Sequence, residues 1–229
     1  MVTCTGPDEV NSQNENCCRH QQSPAKLMEN NAELLVATMN SGKISELRLL
    51  LDELPLQLRG LDEFKQVLEV PETADSFTGN AQLKAQGYAA QTKLWTLADD
   101  SGLEVEALGG APGVYSARYG GVGLTDSERQ QLLLSEMRDI PLNKRRARFV
   151  CAIAIANPEA EIVFTAEGVC PGLITFAPAG GGGFGYDPIF VPEGYDNTFG
   201  ELPATIKNKL SHRACALAKA REFLAHKLT

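Results

Sequence analysis

The sequence predicts an α/β fold, because apolar runs with the length of strands alternate with helical patterns. Residues 33–39 form a short apolar run, and residues 43–54 follow it with leucines and an isoleucine at helical spacing. Residues 148–156 and 161–170 are rich in apolar and β-branched residues and are separated by an Asn-Pro step, which predicts a hairpin. The chain therefore combines a strand–turn–helix unit with an antiparallel pair of strands.

Length and charge limit the possible functions. The chain has 229 residues, of which 43% are hydrophobic and 22% charged, and this suits one large domain or two lobes. A formal net charge of −8 argues against a general nucleic-acid binder, because phosphate backbones require a broad basic surface. A small anionic ligand remains compatible with this charge if cations gather locally or a metal bridges the charges.

The cysteines and the hydropathy pattern favour a cytoplasmic protein without a membrane partner. The six cysteines form no CxxC pair and show no zinc spacing, and no transmembrane run or secretory segment is evident. Residues 1–31 are polar and lack apolar periodicity, so a disordered N-terminal extension is expected there. Residues 32–229 are expected to form a single folded domain.

The first strand–turn–helix unit has the geometry of an anion site. Asn40, Ser41 and Gly42 separate the strand from the helix, so free backbone N–H groups and the positive end of the helix dipole point at the turn. Lys43 adds a point charge for phosphate. The turn is not a Walker A loop, because Ala37 stands where that motif needs glycine. The alternative is a plain turn in which Asn40 caps the helix.

A second helix is predicted over residues 78–91. Asn80 and Lys84 lie on one side of it, four residues apart, and Glu72 precedes it. By itself such a pair is typical of a solvated face, and a glutamate before a helix is usually a partner for the helix dipole.

Two adjacent acids, Asp99 and Asp100, end the apolar run that starts at Trp95. Neighbouring side chains of a strand point to opposite faces, so these two acids cannot share one environment unless the chain bends. Ser101-Gly102 is a turn signal and predicts that the strand ends there. Strand ends in α/β sheets often carry oxygen ligands for Mg²⁺. The alternative is a solvated acidic turn.

Residues 125–128, TDSE, form a capping box and predict a helix that runs to about residue 137. A basic cluster of Arg145, Arg146 and Arg148 precedes the predicted hairpin. On its own such a cluster is expected at the surface rather than in a site.

The C-terminal third contains a glycine-rich loop and a capped helix. In residues 178–190, PAGGGGFGYDPIF, an aromatic beside glycine can stack on a flat base and an aspartate can read donor groups on its edge, or the segment can be a flexible hairpin tip. Ser211 is a natural N-cap for the last helix. His212 and Arg213 then fall in the first helical turn, where the dipole disfavours a cation, and this favours charges that serve a ligand. The alternative is a structural histidine, which is the usual role of a single histidine near a helix start.

These segments together resemble the inosine triphosphate pyrophosphatase family, also called the XTP/dITP diphosphatases. The resemblance covers residues 34 to 224 and rests on five segments in register: TMNSGK at 38–43, ETADSFTGNAQLKA at 72–85, ADDSGLEVEALGGAPGVYSARY at 98–119, GGFGYDPIF at 182–190 and KNKLSHR at 207–213. It implies an α/β fold with an elongated mixed β-sheet flanked by helices, in two lobes with the active-site groove between them. It also implies a homodimer.

The resemblance further implies Mg²⁺-dependent hydrolysis of ITP, dITP and XTP to the monophosphate and pyrophosphate, which cleanses the nucleotide pool. Asp100 is implied as the catalytic acid that positions or deprotonates the attacking water, and Glu72 and Asp100 as the metal ligands. The implied substrate-binding residues are Thr38, Met39, Asn40, Ser41, Gly42, Lys43, Lys84, Ser101, Phe184, Gly185, Tyr186, Asp187, Lys207, His212 and Arg213.

Two other functions fit less well. A nucleotide sensor on the same fold has no need of the set formed by Glu72, Asp100 and Lys43. A related phosphatase acting on modified pyrimidine nucleotides is discriminated by the FGYD loop and the SHR element.

Overall fold

The computed structural model describes residues 32–52 and 54–228. The predicted N-terminal extension, residues 1–31, lies outside the described residues. The strands are β1 Glu33–Val36, β2 Gln57–Gly60, β3 Trp95–Val105, β4 Arg146–Ala156, β5 Ile162–Ile174 and β6 Phe190–Pro192. The α-helices are α1 Ser41–Leu51, α2 Phe77–Thr92, α3 Asp126–Glu136, α4 Ala204–Leu210 and α5 His212–Lys227.

The six strands form one mixed sheet in the order β2-β1-β3-β4-β5-β6. β1 pairs in parallel with β2 and with β3, and the pairs from β3 to β6 are antiparallel. The expected mixed sheet flanked by helices is therefore confirmed, and so is the hairpin, which joins β4 to β5.

Strand β3 is the element that positions the site. It pairs with β1 only over Trp95–Leu97, but it pairs with β4 from Thr96 to Val105. Beyond Leu97 it therefore continues past the carboxyl end of β1 with a partner on one side only. Asp99 and Asp100 lie in this overhanging stretch, where carboxylates can face a groove while the backbone stays held by β4.

The predicted break at Ser101-Gly102 is wrong, because β3 continues through both residues. The glycine serves a close approach rather than a turn. A Cβ at Gly102 would lie 2.4 Å from Oγ of Ser116 and 2.5 Å from the carbonyl oxygen of Gly113, so only glycine lets the segment after β3 pack against the strand. The two acids accordingly lie within a strand and not at its end.

Apolar side chains cover both faces of the sheet. On one face, Leu47 and Leu51 of α1 and Leu217 and Leu224 of α5 are buried against β1, β3 and β4. Burying each such leucine contributes about 1.5–3 kcal/mol. On the other face the small residues of α2, including Ala81, let that helix approach the sheet closely. A third cluster at the far end contains Phe149, Phe190 and Phe199.

The helix starts follow the sequence signals. The Asn40 side chain caps α1 by accepting a hydrogen bond from the backbone N–H of Lys43, and Ser211 caps α5 in the same way. The capping box of α3 joins Thr125 and Glu128. Helix α1 begins at Ser41, two residues before its predicted start. The reason is that Asn40 is the N-cap, so the residues that follow it form the first turn of the helix.

The prediction that the whole basic cluster lies at the surface is wrong for Arg145. Its side chain is buried, and its guanidinium donates to the carbonyl oxygens of Met137, Ile140, Ile174 and Thr175. Arg145 therefore ties the end of α3 to the end of β5. Among the described residues, no helix combines the length and apolar character needed to span a membrane.

Candidate active site

A groove with two connected chambers lies beside the overhanging part of β3. The larger chamber, of about 730 Å³, and the smaller one, of about 280 Å³, share Asn40, Lys43, Ser101 and Ala117 in their walls. We call them the phosphate chamber and the base chamber, after the polar and aromatic groups described next. Because they share one wall, a single extended ligand can occupy both.

Asp100 is the central acid of the phosphate chamber. Its Oδ2 accepts a hydrogen bond of 3.0 Å from Nδ2 of Asn80, and its Oδ1 accepts one of 3.0 Å from the backbone N–H of Ser101. Asn80 and Lys84 are both buried here, so the solvated face expected for this pair is wrong. The reason is that α2 packs on the face of β3 from which Asp100 projects.

Glu72 faces the same point from the segment before α2. Nζ of Lys84 lies 2.8 Å from Oε1 of Glu72 and 3.7 Å from Oδ1 of Asp100, and Arg118 lies 3.7 Å from the other oxygen of Glu72. Burial raises the pKa of Asp100 above its ordinary value, although Lys84 opposes this. Burial alone would lower the pKa of Lys84, but the carboxylates of Asp99, Asp100 and Glu72 outweigh it and raise the pKa.

Asp99 projects from the opposite face of β3, as the alternation of a strand requires. Its Oδ2 lies 3.0 Å from Nζ of Lys43 and 3.4 Å from a guanidinium nitrogen of Arg213. Burial on its own would raise the pKa of Asp99, but Lys43 and Arg213 outweigh it and hold the pKa far below its ordinary value. Asp99 is therefore an ionised anchor for two cations.

Glu46 is a site residue that the sequence analysis missed. One of its carboxylate oxygens lies 2.9 Å from Nζ of Lys207, and the other pairs with Arg213. Glu46 occupies an ordinary polar position of α1, and its partner Arg213 is 167 positions away in the sequence, so no local pattern singles it out.

Phe184 forms the aromatic wall of the base chamber. Its ring packs over the start of α1, where a Cβ at Gly42 would lie 2.7 Å from a ring carbon. Nζ of Lys207 lies 4.4 Å from the ring centroid. Asp187 fixes this arrangement, because its Oδ2 accepts a hydrogen bond of 2.8 Å from the backbone N–H of Phe184 and lies 2.5 Å from Nζ of Lys207.

Helix α3 holds the glycine-rich loop against the groove. Oδ2 of Asp126 accepts a hydrogen bond of 2.8 Å from the backbone N–H of Gly185, and Nε2 of Gln130 donates one of 2.6 Å to the Gly185 carbonyl oxygen. The hydroxyl of Tyr186 donates to the carbonyl oxygen of Ser116 at 3.0 Å. The loop is thus anchored at three points, and the sequence analysis missed all of these partners.

His212 is buried at the rear of the base chamber. Its ring stacks on Phe149 with the centroids 4.7 Å apart and the planes inclined by 12°. Burial and the nearby Arg213 lower the pKa of His212 well below its ordinary value, so the imidazole is neutral at pH 7. Its Nδ1 has no hydrogen-bond partner within the part of the chain that the structure describes. A neutral imidazole has one donor and one acceptor nitrogen, so the unpaired Nδ1 can donate one hydrogen bond to a ligand or accept one from it.

The predicted site residues come together around the two chambers. Met39 lies at the rim with 74% of its surface exposed, and Gly42 lies beneath Phe184. The Ser41 side chain falls outside the described part of the structure. Those lining the phosphate chamber are Thr38, Met39, Asn40, Lys43, Glu72, Lys84, Asp100 and Ser101. Those lining the base chamber are Phe184, Gly185, Tyr186, Asp187, Lys207, His212 and Arg213, together with Asn40, Lys43 and Ser101.

The mixed sheet and this groove together define the class of the protein. It is an α/β protein in which one groove joins a chamber lined by carboxylates and lysines to a chamber with an aromatic wall. This is the arrangement that a flat ring attached to a polyanion requires. The chain belongs to the Ham1 family, whose family model matches residues 34–223.

Relatives and solved structures cover most of the chain. It is 46% identical over 192 residues to a dITP/XTP pyrophosphatase of Shouchella clausii, an alignment that spans 84% of this chain and 96% of the relative. A dITP/XTP pyrophosphatase of Desulforamulus reducens is 48% identical, with 84% and 95% covered. The structure of a HAM1 protein from Coxiella burnetii matches with a TM-score of 0.78 and 40% identity, covering 85% of this chain and 99% of that one.

Proposed function

We propose that this protein is a nucleoside triphosphate pyrophosphatase that hydrolyses unusual purine nucleoside triphosphates, namely ITP, dITP and XTP. Water attacks the α-phosphorus, so that the bond between the α-phosphorus and the bridging oxygen breaks and the products are the monophosphate and pyrophosphate. The observation that carries the proposal is the continuity of the two chambers. They place an aromatic ring and a buried carboxylate on one groove, with Lys43 and Asn40 in the wall between them. The names of the relatives from S. clausii and D. reducens support the substrate class.

The start of α1 holds the triphosphate. The first turn of a helix carries backbone N–H groups that have no acceptor within the helix. Asn40 caps that of Lys43, and the side chains of Thr38 and Asn40 line the chamber at this helix start. Lys43 and Lys84 supply the positive charge. In the free protein both ammonium groups rest on carboxylates, Asp99 and Glu72 respectively, so each is held in place before the ligand arrives.

Glu72 and Asp100 fit a magnesium ion. Both carboxylates already converge on one cationic atom, Nζ of Lys84, and they offer the oxygen ligands that Mg²⁺ prefers. Within the described ranges, no three or more His, Cys, Asp and Glu side chains are grouped as a metal site. Mg²⁺ is usually bound through one or two carboxylates, with phosphate oxygens and water completing the shell. The ion, when bound, neutralises phosphate charge and makes water a stronger acid.

Asp100 is proposed as the catalytic carboxylate. Asn80 and the backbone N–H of Ser101 fix its orientation, so that it can position the attacking water and accept its proton.

The base chamber reads the purine. Phe184 stacks on the ring, with Gly185, Tyr186 and Asp187 completing the wall, and Lys207, His212 and Arg213 lie at the rear. A chamber that donates hydrogen bonds to the 6-oxo group leaves donors unpaired against adenine and therefore rejects it. Arg213 already donates to Glu46, Asp99 and Ser101, which leaves one of its five N–H groups for a ligand.

The test is a substrate panel with and without Mg²⁺. We expect pyrophosphate release from ITP that depends on the ion, and loss of turnover in Asp100→Asn with thermal unfolding close to that of the wild-type protein. Near-normal turnover in this variant defeats the catalytic assignment. Tight ITP binding without hydrolysis indicates a nucleotide sensor, and hydrolysis restricted to modified pyrimidine nucleotides indicates a different phosphatase.

We further propose that the protein acts as a homodimer in the cytoplasm. The dimer rests on the family resemblance, and the compartment on the cysteine pattern together with the intracellular nucleotide pool that the reaction cleanses. Light scattering coupled to size-exclusion chromatography tests the dimer, since a monomer at micromolar concentration contradicts it.

A further inference from the structure

Arg129 is a cation of the base chamber that the mechanism above does not use. It lies in the second turn of α3 and lines the same chamber as Phe184. Its side chain is only 14% exposed, and one guanidinium nitrogen lies 3.3 Å from Oδ1 of Asp126. Its Nε is buried and has no hydrogen-bond partner among the residues that the structure describes.

Two other cations of the chamber are each shared between two carboxylates. Lys207 is shared between Glu46 and Asp187, and Arg213 between Glu46 and Asp99. Among the described residues Arg129 forms an ion pair with Asp126 only, and that carboxylate is 54% exposed and also accepts a hydrogen bond from the backbone N–H of Gly185.

Stability alone gives no reason for this placement. Leaving a buried N–H group unpaired has a cost in folding free energy. Such an arrangement is understandable if a ligand supplies the missing acceptor. Arg129 and Phe184 line the same chamber, so a ligand stacked on the Phe184 ring would share that chamber with the guanidinium group.

We propose that Arg129 is a specificity-determining residue of the base chamber, which donates hydrogen bonds to the purine edge and favours xanthine over hypoxanthine. This inference rests on the proposed function. Xanthine carries a second carbonyl oxygen where hypoxanthine has only a hydrogen. The second carbonyl also makes xanthine the more acidic base, so it is partly anionic at neutral pH. A guanidinium group pairs with purine oxygen and nitrogen acceptors through two parallel hydrogen bonds, and it pairs more strongly when the acceptor is charged.

The test measures the dissociation constants of the two product monophosphates, XMP and IMP, by titration calorimetry at neutral pH. Arg129→Gln is compared with Arg138→Gln, which removes the same charge from an exposed position just beyond the end of the same helix. We expect Arg129→Gln to weaken XMP binding relative to IMP binding by roughly tenfold, the amount for one hydrogen bond to a charged group. Arg138→Gln should leave the ratio of the two constants unchanged. Arg129→Lys should give an intermediate ratio, because it keeps the charge but loses the two-pronged geometry.

An unchanged ratio in Arg129→Gln overturns the inference. Equal weakening of XMP and IMP also overturns it, because a merely structural effect on the loop affects both ligands alike. Pyrophosphate release from ITP is measured in parallel on the wild-type protein. Release with an unchanged binding ratio refutes only the role of Arg129. A changed ratio without release supports that role and refutes the proposed hydrolysis.

Discussion

Replacing Asp99 with asparagine tests how much the buried ion pairs contribute to stability. Asp99 is fully buried and pairs with Lys43 and Arg213, so Asp99→Asn keeps the shape of the side chain while removing the negative charge that both cations contact. Breaking a buried pair by removing one partner costs about 3–5 kcal/mol. Because Arg213 keeps Glu46 as a partner, we expect the lower end, about 3 kcal/mol.

The assay is thermal and urea unfolding of Asp99→Asn beside Glu104→Gln. Glu104 lies on the same strand and pairs with Arg148 at 2.6 Å, but the Arg148 side chain is 58% exposed. An exposed pair contributes about 0–1 kcal/mol. In a protein of this size, about 3 kcal/mol lowers the Tm by roughly 6–12 °C. Equal shifts in the two variants refute the reasoning.

The difference in stability between the wild-type protein and Asp99→Asn should change with pH in one direction. The pKa of Asp99 is lower in the folded than in the unfolded protein, so its contribution to stability is fully present above the unfolded value of about 3.9. That contribution is lost as the pH falls through the depressed folded pKa. The stability gap between the wild-type protein and Asp99→Asn should therefore be constant near neutral pH and narrow in acid. A gap that widens as the pH falls contradicts the assignment.

Two further predictions concern packing around the site. Gly102→Ala places a Cβ 2.4 Å from Oγ of Ser116 and should lower the free energy of unfolding by about 1–3 kcal/mol. Gly181→Ala, whose Cβ would lie within 4 Å of no described atom beyond its chain neighbours, should be nearly neutral. Equal urea midpoints for the two variants contradict the argument that Gly102 permits a close approach. Arg145→Met leaves four carbonyl oxygens without their donor and should lower the free energy of unfolding in urea by at least about 3 kcal/mol. Arg146→Met, at an exposed position, should lower it by under about 0.5 kcal/mol. Similar losses in the two variants contradict the structural role of Arg145.

The sequence predicted features that depend on near neighbours and missed those that depend on distant ones. The caps at Asn40 and Ser211 were predictable because each bonds a backbone N–H three residues away. Glu46 was missed because its ion pair with Arg213 joins two elements that are adjacent only in the fold. Asp126 and Gln130 were missed for the same reason, because each forms a hydrogen bond with Gly185, which lies 55 or more residues further along the chain.

The errors also have physical causes. Ser101-Gly102 has the composition of a turn, but β4 pairs with β3 through both residues and the glycine is needed for packing against Ser116. Local turn preference was outweighed by tertiary contact. Arg145 belongs to a charged cluster in sequence, yet its neighbours Arg146 and Arg148 are exposed while it is buried. A charge run shows where cations are, but only the fold shows which of them has backbone acceptors around it.

The alternation of strand β3 explains how two adjacent identical side chains receive different tasks. Asp99 faces α1 and α5, where two cations depress its pKa and occupy its charge. Asp100 faces α2, where burial raises its pKa. Carboxylates whose surroundings move their pKa values apart are suited to separate roles, one as a fixed counter-ion and the other as a proton acceptor. In the proposed mechanism the counter-ion holds the cations that would bind the ligand, and the proton acceptor would act on water. Both residues are aspartates, so residue type does not explain the difference between them. The difference follows from the face of β3 from which each side chain projects.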